Sequence, residues 1–177
     1  MYHKKYGKMT FSAWLNVELE SCSLIFTVFV GLLLAAACIA VRSTSGSPYP
    51  MILQLDIKEL FPPVWLLSLL RFLSMLTVGC AAGMVLSYKR QSCMVEKYKG
   101  GMLFVLLAVL ELLWYPTLFY WGLLFLVLIE CICMLALSVA VTVCFFKVSR
   151  LAGYITVAHT VWLAYLLILA FAILFRN

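Results

Sequence analysis

Five long apolar runs, separated by short polar breaks, organise the chain. The first covers about residues 22–41 and stops at Arg42. The second covers about 62–88 and stops at Lys89 and Arg90. The others cover about 102–120, 123–146 and 151–175. At 1.5 Å per residue, runs of this length cross a hydrocarbon core of about 30 Å, the longer ones with tilt. The pattern predicts an all-α fold: an integral membrane bundle of five transmembrane helices. Pro62 and Pro63 open the second run, where a fixed φ and a missing N–H suit a helix entry.

The polar breaks define the rest. Residues 1–21 are a basic leader with Lys4, Lys5 and Lys8, then Phe11, Trp14, Leu15, Val17 and Leu19 among polar neighbours. This spacing suits a short interfacial helix with Trp14 at headgroup level. Glu18 and Glu20, and the length of the apolar run behind them, argue against a cleaved signal peptide. Residues 22–177 form the membrane domain. Its longest connection, 43–60, carries Gly46, Pro48 and Pro50, then the amphipathic stretch Met51 to Leu60. That stretch is expected to cap one mouth of the bundle. A loop is expected over Lys89–Gly101, and tight turns at Trp121–Gly122 and Lys147–Arg150.

The composition agrees with this pattern. The chain of 177 residues is 66% apolar and 11% charged, against about half and a quarter in soluble domains. Its net charge of +6 resides in short loops and the leader, which indicates headgroup contact and orientation and not nucleic-acid binding. Lys4, Lys5, Lys8, Lys89, Arg90, Lys97, Lys99, Lys147 and Arg150 fall on the side of the N-terminus. Only Arg42, Lys58 and Arg176 fall on the other. The positive-inside rule then predicts a cytoplasmic N-terminus and an outside C-terminus, in a bacterial cell membrane or an organelle membrane.

Three charges interrupt the apolar runs. Arg71 lies roughly 13 Å from the predicted outer end of its span, Glu111 roughly 15 Å and Glu130 roughly 11 Å. Charged side chains at such depth face one another or a wet cavity. Two readings stand side by side. In one, Arg71 forms a packing salt bridge with Glu111 or Glu130. In the other, the three line a binding cavity in which Arg71 meets an anionic ligand. A proton path through the two glutamates is the third reading. His159, counted from the other end of its span, is expected far from these three, as a helix–helix hydrogen-bonding residue. Trp65, Trp114, Tyr115, Phe119, Tyr120 and Trp121 suit an interfacial aromatic belt, whereas Trp162 falls mid-span and is expected inside the bundle. The seven cysteines read as small apolar packing residues; Cys131-x-Cys133 is too tight for a usual zinc pair and no metal site is predicted. No catalytic set of serine, histidine and acid, or of cysteine and histidine, is visible.

Order and spacing of several motifs carry a resemblance. Pro62-Pro63-x-Trp65 opens the second span, and Trp114-x-Pro116 ends the third. Ile129-Glu130-Cys131 lies in the fourth, Val148-Ser149-x-Leu151-Ala152 forms the turn before the fifth, and Trp162-Leu163-Ala164-Tyr165 lies within it. Over about residues 25–177 the chain resembles the TspO/MBR family, the tryptophan-rich sensory proteins and mitochondrial translocator proteins. The resemblance implies five helices around a pocket capped by the first loop, and binding of porphyrins and haem-related tetrapyrroles, or of sterol in animal members. It implies ligand-binding roles for Trp65, Arg71, Glu111, Trp114, Glu130 and Trp162. Arg71 and Glu111 stand where the family usually has tryptophan and asparagine, and Ala158-His159 replaces a Pro-Tyr pair.

The expected function is therefore that of a membrane receptor, sensor or transporter. Its expected ligand is a hydrophobic small molecule of the tetrapyrrole class, bound without a resident cofactor. Its expected partners are that ligand, the lipid bilayer and a second copy of the chain in a homodimer. The alternatives are a proton-coupled carrier using Glu111 and Glu130, and a porphyrin-degrading enzyme.

Overall fold

The computed structural model describes residues 11–45, 63–89 and 93–176. The expected cap, Met51 to Leu60, lies outside the described residues, as does the side chain of Trp14. Among the described residues six helices follow in order: α1 Phe11–Glu20, α2 Leu24–Thr44, α3 Val64–Ser87, α4 Met94–Phe119, α5 Leu124–Val148 and α6 Arg150–Arg176. The last five are long and apolar enough to span a membrane.

Local chemistry explains their ends. Ser23 caps α2, its hydroxyl accepting from the Phe26 N–H at 3.5 Å. Pro63 caps α3, and its carbonyl accepts from Leu66 and Leu67. Pro116 sits inside α4 near its end, where its carbonyl takes both Tyr120 N–H and Trp121 N–H. Gly122 then adopts φ 65°, which a side-chain-bearing residue rarely takes, and turns the chain into α5. The Ser149 hydroxyl accepts from the Ala152 N–H at the start of α6.

One boundary differs from expectation. The loop predicted over Lys89–Gly101 is mostly helix, because α4 starts at Met94 and not near 102. Glu96 occupies its first turn, complementing the helix dipole, and Lys147 of α5 holds that carboxylate at 3.1 Å. Gly100 stays helical because it lies against α5: a Cβ there would sit 3.1 Å from Cys144 Cβ and from the Phe145 ring. Close packing thus accompanies helix where a loop was expected.

Between lipid-exposed helices there is little hydrophobic drive, so association relies on close packing. The α2–α3 contact is of this kind. A Cβ on Gly83 would fall 2.6 Å from Thr27 Cα, and one on Gly79 2.8 Å from Gly31 Cα. The large core side chains Trp114, Phe145, Met75, Leu107 and Met134 fill the bundle beside them. Outward-facing apolar residues such as Ile25, Phe29 and Leu33 of α2 are exposed, as a lipid-facing wall requires. Tyr120 and Trp121 are exposed at the end of α4, in keeping with an aromatic belt. Trp114 and Tyr115 are not belt residues: both turn inward and are buried.

At the end of the bundle bearing α1, a second polar zone forms. Glu18 is buried and accepts from the Ser149 hydroxyl at 2.7 Å. The Lys89 N–H donates to the Ser21 carbonyl, and the Ser23 N–H to the Ser87 hydroxyl. The opposite end, where residues 45 and 63 emerge, is called the mouth below.

Candidate functional site

A cavity of about 330 Å³ lies toward the mouth, between α2, α3, α4 and α6. Its wall takes Cys38, Ile39 and Arg42 from α2, and Trp65, Leu67, Ser68, Leu69, Arg71 and Phe72 from α3. Trp114 and Tyr115 of α4 and Trp162 and Leu166 of α6 complete it. The lining is aromatic and aliphatic with a few polar atoms, the usual make-up of a small-molecule pocket. Trp65 is 66% exposed at the rim, whereas Trp114 is 2% exposed at the base.

Arg71 is the unusual member. It is 7% exposed, and its guanidinium lies 4.8 Å from the Trp114 ring centroid and 5.7 Å from that of Tyr115. These aromatic faces stabilise a cation that has lost its water. The Arg71 guanidinium also donates from Nη2 to the Glu111 backbone carbonyl. Its Nε has no hydrogen-bond partner. Among the described residues, no acidic side chain lines the cavity.

The three membrane charges are therefore arranged differently from the expected cluster. Among the described residues Arg71 forms no ion pair with Glu111 or Glu130. The Glu111 carboxylate instead meets His159, with Oε1 and Nε2 2.6 Å apart. That pair meets the distance of a hydrogen bond but not its alignment. The other ring nitrogen, Nδ1, lies 2.7 Å from the Ser74 hydroxyl. Ser74, Glu111 and His159 are all buried, so a polar link joins α3, α4 and α6 beside the cavity. The separation expected for His159 is thus overturned. Counting from helix ends assumes that all helices finish at one level. Ser74 and Glu111 lie about two to three turns from the mouth ends of their helices, His159 about five turns from the end of α6. For these residues to meet, α6 must overrun its neighbours at the mouth by roughly two turns.

Glu130 lies within reach of the Arg71 charge but, among the described residues, forms no ion pair with it. It is 8% exposed, its Oε2 has no partner, and it does not line the cavity. Its helix, α5, packs on α4 and α6 and contributes nothing to the wall. Of the six predicted residues, Trp65, Arg71, Trp114 and Trp162 line the cavity, and Glu111 and Glu130 do not. Arg42 and Tyr115 escaped the sequence reading. Arg42 looked like an ordinary span-end charge and Tyr115 like a belt residue; only the path of α2 past α4 brings both to one cavity.

Five spanning helices, four of which wall a mouth-side pocket, and the family match together define a multi-pass membrane protein of the sensor and transporter type. Residues 26–176 match the TspO/MBR family, and the chain belongs to that family. A comparison with curated proteins finds no match.

Proposed function

We propose that the cavity binds a hydrophobic anion of the tetrapyrrole class, for sensing or transport. One observation carries this reading: a buried arginine forms part of an aromatic wall that, among the described residues, holds no acidic side chain. A guanidinium in that setting favours a planar carboxylate, which it can grip with two parallel hydrogen bonds. Trp114, Trp162 and Trp65 supply flat apolar surface for a ring system. The volume lies at the small end for drug-sized ligands, so a tetrapyrrole enters by its carboxylate-bearing edge and leaves the rest of its ring at the mouth.

The test is thermal unfolding of the purified protein in detergent with a porphyrin carboxylate at rising concentration. A binder of the folded state raises Tm progressively with ligand. An unchanged Tm at saturating porphyrin, with unquenched tryptophan fluorescence, removes the reading. Retention of porphyrin inside vesicles separates transport from binding alone, and loss of its absorption band under light would reveal breakdown.

A proton-coupled carrier is the second reading, and the buried Glu111–His159 contact favours it. It rests on Glu111 with His159 as partner in place of Glu130. Glu111→Gln should then abolish any pH dependence of uptake while leaving ligand binding intact. The orientation proposed is a cytoplasmic N-terminus, supported by the excess of basic residues on that side.

A further inference from the structure

The cavity wall carries a second guanidinium. Arg42 stands in the last turn of α2 and lines the cavity with Arg71. A cation at a span end ordinarily extends to lipid headgroups. Arg42 instead lies close enough to the Tyr115 hydroxyl to act on it, and Tyr115 also faces Arg71, whose Cζ is 5.7 Å from its ring centroid. Two positive groups from different helices thus bracket one buried phenol, and no acidic side chain of the described wall offsets them. Like charges sharing a partly desolvated cavity repel, and the repulsion is relieved when anions enter.

We propose that the cavity takes an amphiphile bearing two negative charges. Arg71 holds one acidic group at the base, where it is buried with a free Nε. Arg42, exposed at the mouth, holds the other. The Tyr115 hydroxyl, set between the two guanidiniums, donates to the ligand. This rests on the anion-binding reading above and extends it, since that reading needs one negative group and this one needs two. The apolar body then lies against Trp65, Phe72 and Trp162.

The experiment uses the full chain in nanodiscs of neutral phosphatidylcholine. Tryptophan quenching gives Kd for mesoporphyrin as diacid, monomethyl ester and dimethyl ester. Each free acid should tighten binding by about ten- to a hundredfold, the range of a charge-assisted hydrogen bond. Arg42→Gln, a change at the surface that leaves the core untouched, should bind the diacid only as tightly as the parent binds the monoester. It should no longer separate these two forms. Equal binding of diacid and monoester by the parent overturns the proposal, and so does an equal loss for all three forms in Arg42→Gln. A second pair of probes is independent of tetrapyrroles: anilinonaphthalene sulfonate and its disulfonated dimer. If no porphyrin binds but the disulfonate is preferred, and Arg42→Gln erases that preference, the tetrapyrrole reading falls and the two-charge inference stands. Equal affinity of the parent for both dyes overturns the inference as well. Doping the discs with phosphatidic acid identifies the source: displacement of the dye assigns the site to a lipid phosphate monoester, and its persistence to a soluble dicarboxylate.

Discussion

Replacing Arg71 with leucine separates a ligand role from a packing role. In the unliganded protein, Arg71 gains a charge-assisted bond to the Glu111 carbonyl, about 1.5–3 kcal/mol. Its contacts with Trp114 and Tyr115 contribute about 2 kcal/mol more. Against this stands the loss of its water at 7% exposure, about several kcal/mol for a buried ion. These terms nearly cancel, and leucine removes all of them together while restoring apolar fill. Arg71→Leu should therefore unfold within about 1 kcal/mol of the parent, a Tm shift of about 2–4 °C. Its affinity for a porphyrin carboxylate should fall about ten- to a hundredfold, whereas the fully esterified porphyrin should bind as before. Arg71→Lys should recover part of the loss, because an ammonium keeps the charge but not the planar fork. The assays are thermal unfolding in detergent and a fluorescence titration of acid and ester. The reasoning is refuted if Arg71→Leu binds acid and ester as well as the parent, or if it loses stability heavily while affinity stays unchanged. Either outcome would make Arg71 a structural strut.

Four further expectations rest on packing, burial and the distribution of charge. Gly83→Ala puts a Cβ 2.6 Å from Thr27 Cα and 3.0 Å from its carbonyl, atoms that cannot move without shifting α2. It should lower stability by about 1–3 kcal/mol, and an unchanged Tm would contradict the close α2–α3 contact. His159→Ala strands the buried Glu111 carboxylate and should cost about 3 kcal/mol or more; adding Glu111→Ala should return part of it, and strict additivity in the double-mutant cycle would exclude the pair. Burial, reinforced by the Glu18 carboxylate, pushes the Cys22 thiol from its ordinary 9.0 up to about 11. Its neutral form therefore supports folding below pH 9, and that support is lost as pH rises toward 11. Alkylation of Cys22 by a water-soluble maleimide should accordingly keep climbing about tenfold per pH unit beyond pH 9, where a plateau would contradict the burial. A reporter fused after Asn177 should be active outside the cytoplasm and one inserted at residues 91–96 inside, with a cytoplasmic C-terminus as the refuting result.

Five apolar runs were legible in the linear chain because a membrane-spanning segment must satisfy its own backbone hydrogen bonds, and only a helix does so within one segment. Pro62-Pro63 marked a helix entry for the same local reason, and the motifs from Trp65 to Trp162 sufficed to indicate the TspO/MBR family. Arg71 and Glu111 were visible as misfits, since a charge stands out in an apolar run whatever its neighbours. Their partners were not visible. That the Glu111 carboxylate turns to His159, and that Arg71 takes its carbonyl and the faces of Trp114 and Tyr115, depends on how far each helix slides along the next. Nothing in the period of one helix encodes that offset. It arises from packing between helices, of which the small-residue contact at Gly31, Gly79 and Gly83 fixes the α2–α3 part. The same offsets brought Arg42 and Tyr115 to the cavity and kept Glu130 away from it. Which residues are chemically unusual is a property of the sequence; which of them meet is decided by helix packing, because contact requires equal depth and a facing side at once.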